Sequence, residues 1–282
     1  MNLNRTRPLI IGRRSRLAAA LAAAFVLAVF LTGTSAASGA AVEHHTHKPT
    51  VVLVHGAFAD SSSWNGVIED LGRKGYPVLA VANPLRGLHG DAAYLRSVLD
   101  SISGPIVLVG HSYGGSVMSE AAAGQAAVKA LVYIASFQLE AGESTAELAA
   151  KFPGAQLGPA LNSIPFPTPD GDTGTDLYIR KDRFRAVFAA DVPNKTARLM
   201  AATQRPIAAQ ALQDGATQAA WKTIPSWTMV TTQDLAIPAD SMRFMAKRAG
   251  STIVEVDASH AVTVSEPAAV ARLIHRAARA TT

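Results

Sequence analysis

The chain has 282 residues, with 26 Lys and Arg, 21 Asp and Glu, and no cysteine. Five of the basic residues and none of the acidic ones fall within the first forty positions, so the rest of the chain carries 21 charges of each sign. This composition excludes disulfides and a cysteine-linked lipid anchor, and it offers no basic patch for nucleic acid or an anionic membrane surface.

Residues 1–40 have the pattern of a cleaved secretory signal. Arginines precede an unbroken apolar run from Leu17 to Leu31, and small residues follow it. The run is shorter than the roughly 20 residues that span a bilayer as a helix, so cleavage is favoured over a retained membrane anchor. We predict cleavage between about Ala36 and Ala41 and secretion of the mature chain; the Arg13-Arg14 pair leaves the Sec and twin-arginine routes both open.

Short apolar runs alternate with amphipathic stretches through residues 41–282, which we predict to form a single domain. The runs are rich in β-branched residues and lack polar alternation, as is typical of strands buried on both faces of a parallel sheet. The predicted strands are Val51 to Val54, Val78 to Val81, Ile106 to Val109, Ala130 to Ile134, Trp227 to Thr231 and Thr252 to Val256. The predicted helices are Ser63 to Lys74, Asp91 to Ile102, Ser112 to Ala123, Asp240 to Ala249 and Glu266 to Ala278. This alternation predicts an α/β fold, with about six mostly parallel strands flanked by helices.

One segment, about residues 138–220, interrupts the alternation. It is rich in Pro and Gly, lacks evident strands, and contains helical patterns at residues 180–193 and 195–204. We predict a mostly helical lid over one edge of the sheet; a surface excursion without function is the alternative. Its apolar side chains are expected to line a pocket for a small hydrophobic or aromatic compound, although helix packing would explain several of them. They are Phe152, Ile164, Phe166, Phe184, Val187, Phe188 and Met200.

Ser112 lies at the centre of a G-x-S-x-G pattern that runs from Gly110 to Gly114, between a predicted strand and a predicted helix. In that context the pattern is typical of a sharp, strained turn that exposes a nucleophilic serine, and side chains at its glycines would collide with neighbouring backbone. A phosphate-binding loop is the alternative, but it needs a lysine where this chain has Ser116.

A serine hydroxyl near neutral pH needs a base to remove its proton. Asp234 and His260 each follow a predicted strand, so both should reach the sheet edge that carries Ser112, in the chain order Ser, Asp, His. Taken singly, Asp234 could be a helix cap and His260 a surface histidine. Asp257 is a rival acid that lies too close to His260 in sequence, and Asp214 ranks lower still.

Four stretches together resemble the α/β-hydrolase superfamily, most closely its methylesterase, hydroxynitrile lyase and pyrethroid-esterase-like group. They are His55 to Ala57, Gly110 to Gly115, "TTQDLAIP" and "ASHAVTVSEP", and the resemblance runs from about Thr50 to Ile274 apart from the lid. It implies an α/β-hydrolase fold with Ser112, Asp234 and His260 as catalytic residues. It also implies the backbone amides of Ala57 and Tyr113 as an oxyanion hole.

The lyases of that group carry Thr in place of Gly56, Lys in place of Ala261 and an acidic residue in place of His111. The resemblance therefore implies a carboxylesterase that works through an acyl-enzyme, with a small-molecule ester as its partner and no metal or organic cofactor. A lactonase, a perhydrolase or a C–C hydrolase on the same residues stays open, as does, less favoured, a non-catalytic ligand-binding protein. The sequence carries no signal for an oligomeric state.

The remaining histidines are expected to have lesser roles. His55 is expected to anchor the backbone of its turn, whereas His89 and His275 are expected at the surface, since no partner is visible in the sequence. The cluster from His44 to His47 would bind a metal only weakly, because a tail lacks the supporting contacts that orient metal ligands.

Overall fold

The computed structural model describes residues 48–281. The predicted signal at residues 1–40 and the cluster from His44 to His47 lie outside the described residues. The strands are, in chain order, β1 (Thr50–Val54), β2 (Val78–Val81), β3 (Ile106–His111), β4 (Val128–Ile134), β5 (Leu161–Pro167), β6 (Thr173–Ile179), β7 (Ile207–Ala208), β8 (Ser226–Thr231) and β9 (Thr252–Val256). The α-helices are α1 (Asn65–Arg73), α2 (Leu88–Asp100), α3 (Tyr113–Ala121), α4 (Thr145–Ala150), α5 (Lys181–Phe188), α6 (Asn194–Thr203), α7 (Ala209–Gln213), α8 (Ala239–Arg248), α9 (Val262–Ser265) and α10 (Pro267–Thr281).

Six strands form the main sheet in the order β2-β1-β3-β4-β8-β9, and each neighbouring pair is parallel. The predicted α/β architecture is thereby confirmed, and the ends of the predicted strands and helices differ from the observed ones by at most three residues. Chain order reverses about β1, since β2 lies on one side of it and β3 on the other. In parallel sheets such a reversal opens a crevice at the carboxyl ends of the strands, where ligands bind. The loops after β1 and β3 therefore meet where a site is expected.

The core lies on both faces of this sheet. Val51, Val52 and Leu53 are consecutive in β1 and fully buried, and successive strand residues point to opposite faces, so both faces are covered. Helix α1 packs against α10, and α2 against α3, with α10 and α3 also contacting the strands. Among the described helices, none combines the length and apolar character that crossing a bilayer requires.

Residues 138–220, called the inserted segment below, contain the two predicted helices as α5 and α6. The expectation that the segment lacks strands was wrong, because β5, β6 and β7 form a three-stranded antiparallel sheet. The sequence hides β5 because it contains two prolines and is mostly exposed, so no apolar alternation marks it.

His89 lies at the surface, as expected, whereas His275 is half-buried, and both have partners that the sequence does not show. His89 Nδ1 lies 2.7 Å from a carboxylate oxygen of Glu120, and the pKa of His89 is raised by that hydrogen bond. His275 Nδ1 lies 2.7 Å from the hydroxyl of Tyr76. These partners come from elements far apart in the chain, so local sequence patterns do not reveal them.

Candidate active site

Ser112 occupies the sharp turn between β3 and α3. Its backbone φ of 54° lies in the left-handed region that residues other than glycine rarely adopt. A Cβ atom on Gly110 would lie 2.7 Å from the carbonyl oxygen of Gly114, and a Cβ atom on Gly114 would overlap the backbone oxygen of Val54. The predicted strain at the serine and the steric need for both glycines are confirmed.

His260 and Asp234 are joined by a buried hydrogen bond. His260 Nδ1 lies 2.7 Å from Asp234 Oδ2, and both side chains are almost inaccessible to solvent. The carboxylate also accepts the backbone N–H groups of Ala236 and Ile237, at 2.8 and 2.9 Å, and the hydroxyl of Thr231 at 2.8 Å. A carboxylate held at both oxygens fixes the ring so that Nδ1 donates and Nε2 keeps a lone pair.

Ser112 and His260 line the same small cavity, of about 60 Å³. No hydrogen bond joins the Ser112 hydroxyl to the His260 imidazole within the described part of the chain. Such contacts are often long without substrate and shorten when it binds. The cavity therefore holds a hydroxyl and an oriented imidazole, which is the arrangement needed for a general base to activate a nucleophile.

The two rival acids lie elsewhere. Asp257 accepts a hydrogen bond of 3.3 Å from the hydroxyl of Thr232. Asp214 accepts one of 2.9 Å from the backbone N–H of Leu88, at the start of α2. The preference for Asp234 as the partner of His260 agrees with the geometry.

The turn after β1 lies directly against Ser112. A Cβ atom on Gly56 would be 2.6 Å from Cβ of Ser112, so the close approach requires glycine. The backbone N–H groups of Ala57 and Tyr113 have no acceptor among residues 48–281, and both residues line the cavity that contains Ser112. Two unpaired donors beside a hydroxyl could stabilise a negatively charged oxygen there.

His55 anchors that turn, as expected from sequence. Its Nδ1 donates to the carbonyl of Gly56 at 2.9 Å, and its Nε2 accepts the backbone N–H of Asn83 at 3.1 Å. The Asn83 side chain in turn donates to the carbonyl of His55 at 3.0 Å. Burial lowers the pKa of His55 to about 4, so the ring is neutral near pH 7 and can serve as acceptor and donor at once.

His111 supports His260 in a way the sequence did not reveal. Its Nε2 donates to the backbone carbonyl of His260 at 2.9 Å, and the two rings lie 4.8 Å apart. Burial, with the nearby His260, lowers the pKa of His111 to about 3, so this ring too is neutral near pH 7. The sequence drew attention to His111 only by its position next to Ser112 and by its replacing the acidic residue of the lyases.

The inserted segment holds the residues on both sides of His260. The carbonyl of Phe188 accepts the backbone N–H of Ala261 at 2.9 Å, and the Phe188 ring packs edge-on against the His260 ring at 4.8 Å. Asp191 accepts the backbone N–H of Ser259 at 3.0 Å and also its hydroxyl. Partial burial opposes ionisation of Asp191, but the hydrogen bonds from Ser259 outweigh it and lower the pKa below its usual range. No local pattern around Asp191 indicates this contact.

The pocket prediction for the inserted segment was largely wrong. The residues of the inserted segment that line the cavity beside Ser112 are small or aliphatic: Thr145, Ala146, Ala149, Leu157 and Leu212. Of the seven predicted apolar residues, only Phe152 lines the adjoining larger cavity. The others lie elsewhere: Phe184, Val187 and Phe188 in the core, Ile164 at the surface, Phe166 against the Arg86 guanidinium and Met200 in a separate cavity.

Comparisons with known proteins agree with this geometry. A sequence profile described as the alpha/beta hydrolase family matches residues 51–273. The alpha/beta hydrolase nvfD of Aspergillus novofumigatus is 28% identical over 253 residues, which are 82% of this chain and 97% of that protein. The crystal structure of polyneuridine aldehyde esterase has a TM-score of 0.70 at 18% identity, covering 81% of this chain and 98% of its own. A pyrethroid hydrolase from Sphingobium faniae has a TM-score of 0.66 at 22% identity, covering 82% and 98%. The likeness to both solved structures concerns the fold.

Proposed function

The chain belongs to the alpha/beta hydrolase family, and on that premise we propose that it is a serine hydrolase that cleaves carboxylic esters of small hydrophobic or aromatic compounds. One observation carries the proposal. The hydroxyl of Ser112, which stands on a strained turn, and the imidazole of His260 line one apolar cavity. The buried carboxylate of Asp234 holds that imidazole, with His260 Nδ1 2.7 Å from Asp234 Oδ2. Esters are the first substrates to consider because two of the fold relatives are named as an esterase and a pyrethroid hydrolase.

In the proposed first step, His260 Nε2 takes the proton of Ser112 while the Oγ atom of Ser112 attacks the ester carbonyl carbon. Asp234 keeps the imidazole in the tautomer that can accept this proton and stabilises the imidazolium that results. The carbonyl oxygen becomes an oxyanion, for which the amides of Ala57 and Tyr113 are the proposed donors, each contributing about 3 kcal/mol to lowering the barrier.

The tetrahedral intermediate then expels the alcohol, which leaves with the proton carried by His260, and this completes the first half of the reaction. A water molecule then gives a proton to His260 and attacks the acyl group on Ser112. Collapse of this second intermediate releases the carboxylic acid and returns the proton to Ser112. His260 therefore acts as base and then as acid in each half of the cycle.

Replacing Ser112 by alanine tests the proposal directly. Ser112→Ala is expected to reduce hydrolysis of p-nitrophenyl acetate by roughly a thousandfold or more and to abolish labelling by a fluorophosphonate probe. Ser97→Ala is the matched control, because Ser97 is an exposed residue of α2. Equal turnover by the Ser112 variant and the wild type would remove the serine mechanism.

Lactonases, perhydrolases and C–C hydrolases would use the same three side chains, so the assay includes lactones and peroxide with acetate beside aryl esters. Turnover of one of those classes alone would replace the esterase assignment. Tight binding without turnover would instead favour a ligand-binding protein.

We further propose that the protein is exported after cleavage of residues 1–40. The support is the arginine-rich start followed by the apolar run Leu17 to Leu31. Expression of the full chain should release a product into the medium whose first residue lies between about Ala36 and Ala41. A product that stays in the cell with its first forty residues intact would contradict export.

A further inference from the structure

Two neighbouring cavities meet beside Ser112. The inner cavity, of about 60 Å³, contains Ser112 and His260 in its wall. The outer cavity, of about 440 Å³, lies next to it. The two share five lining residues, which form the boundary between them: Ala146, Ala149, Leu157, Leu212 and Ala236.

The outer cavity opens to solvent. Much of its wall is the loop from Phe152 to Pro159, in which the prolines, both glycines and Ala155 are exposed. Its inner end is the boundary with the cavity that holds Ser112. A compound can therefore extend from the nucleophile toward the surface through this cavity.

Both cavities lack charge. Among the described residues, no Lys, Arg, Asp or Glu side chain lines either one. The hydroxyl of Thr145 is paired with Ser116 at 2.9 Å, and that of Tyr113 donates to Asp91 at 2.8 Å. The walls of the outer cavity thus offer apolar contact, and they hold no side chain of opposite charge that would compensate a charged group for lost hydration.

The two volumes differ about sevenfold. A water-sized group needs about 10–15 Å³, so the inner cavity of about 60 Å³ holds on the order of four to six such groups. That suffices for an ester carbonyl and a small substituent. A naphthyl ring or a longer alkyl chain exceeds it and fits only in the outer cavity.

We propose that the outer cavity binds the larger of the two groups of the ester, an uncharged apolar group, while the inner cavity admits only a small one. Ala146, Ala149 and Leu212 at the boundary are the residues that set how bulky the larger group can be. This inference rests on the proposed ester hydrolysis and adds to it a rule for substrate shape.

Three uncharged esters test the shape rule on the wild-type enzyme. Ethyl acetate has two small groups, 1-naphthyl acetate has one large group, and 1-naphthyl benzoate has two. We expect kcat/KM for 1-naphthyl benzoate to be at least about tenfold below that for 1-naphthyl acetate, because its second ring does not fit the inner cavity. Equal values for these two esters would overturn the rule.

Two variants test the boundary. Ala149→Leu adds bulk there, and we expect the ratio of kcat/KM for 1-naphthyl acetate to that for ethyl acetate to fall about tenfold or more. Leu212→Ala removes bulk and should raise turnover of bulkier naphthyl esters relative to ethyl acetate. Ala280→Leu, the same change on an exposed position of α10, is the matched control. Circular dichroism and urea unfolding like those of the wild type show that each variant has folded.

The inference is overturned if Ala149→Leu lowers kcat/KM equally for 1-naphthyl acetate and ethyl acetate, and if Leu212→Ala leaves turnover of bulkier naphthyl esters relative to ethyl acetate unchanged. Both results would leave ester hydrolysis intact. If the wild type hydrolyses no ester, the proposed function fails, and binding measurements still decide about the cavity. By calorimetry, the wild type should bind 1-acetonaphthone at least about tenfold more tightly than 2-butanone, because only the former has a group that fills the outer cavity, and Ala149→Leu should lose that difference. Equal binding of the two ketones would overturn the inference.

Discussion

Ser112 illustrates how one residue can carry a strained backbone because its neighbours allow no other geometry. Its positive φ costs on the order of 1–3 kcal/mol, which the surrounding packing must offset. Gly56, Gly110 and Gly114 all lie where a Cβ atom would meet the turn itself or the backbone of β1. The strain points the hydroxyl into the cavity, away from a regular helix or strand position.

Gly114→Ala tests this packing. The added methyl group would overlap the backbone oxygen of Val54, which cannot move without distorting β1, so we expect a loss of about 1–3 kcal/mol in the free energy of unfolding. Urea unfolding followed by circular dichroism measures it. Gly90→Ala in α2 is the control, because nothing lies within 4 Å of the added atom there. This control should be neutral or slightly stabilising, since alanine favours a helix over glycine.

At the scale of elements, the end of α5 and the connection after it support the loop that carries His260, which no local sequence pattern indicated. Phe188 and Asp191 hold the two residues that flank His260, and Asp191 and Ser259 are 68 positions apart in the chain. The inserted segment therefore supports the histidine loop, in addition to lining the cavities. Its own sheet, β5 to β7, lies outside the main sheet.

Asp191→Ala removes the acceptor for Ser259 and is expected to lower kcat about tenfold with little change in KM, because the imidazole is held less firmly while the substrate cavities stay intact. Asp191→Asn keeps one acceptor oxygen and should recover part of the loss. The exposed Asp182 in the preceding helix α5 provides the matched control, Asp182→Ala. A change confined to KM, or no difference between the alanine and asparagine variants, would contradict a positioning role. Steady-state kinetics on 1-naphthyl acetate distinguishes these outcomes.

At the scale of the whole molecule, two buried neutral histidines make the fold sensitive to acid. The pKa of His55 is lowered to about 4 and that of His111 to about 3, in both cases chiefly by burial. In the unfolded chain both rings take up protons near pH 6.5, whereas the folded protein resists doing so. Their contribution to stability is therefore full above pH 6.5 and is lost as the pH falls toward 4 and then 3.

We expect the free energy of unfolding to fall between pH 6.5 and 4, by up to about 1.4 kcal/mol per pH unit for each of the two histidines. Urea unfolding at half-unit pH steps measures the slope. His55→Gln should make the slope shallower by up to about 1.4 kcal/mol per pH unit, the share of one histidine. In the control His89→Gln the slope should not become shallower, because the pKa of His89 is raised by Glu120 and its effect has the opposite sign. An unchanged slope in His55→Gln would contradict the assignment of acid sensitivity to the buried neutral His55.

The sequence by itself determined the main sheet, its helices and the order of Ser112, Asp234 and His260. These features rest on local physics. Buried strands need continuous β-branched runs, and a strained turn needs glycine where side chains would collide. Parallel strands also bring their carboxyl ends to one edge, so residues that follow β3, β8 and β9 could be placed there before any coordinates were known.

Only the tertiary structure decided how the inserted segment is built and what it does. The strands β5 to β7, the support of His260 by Phe188 and Asp191, and the alanine-lined boundary between the two cavities all depend on residues far apart in the chain. An exposed, proline-containing strand leaves no hydrophobic period in the sequence, and a small alanine shows its role only once the space beside it is known. Periodicity reports which residues are buried, whereas the shape of a cavity depends on which distant residues come together.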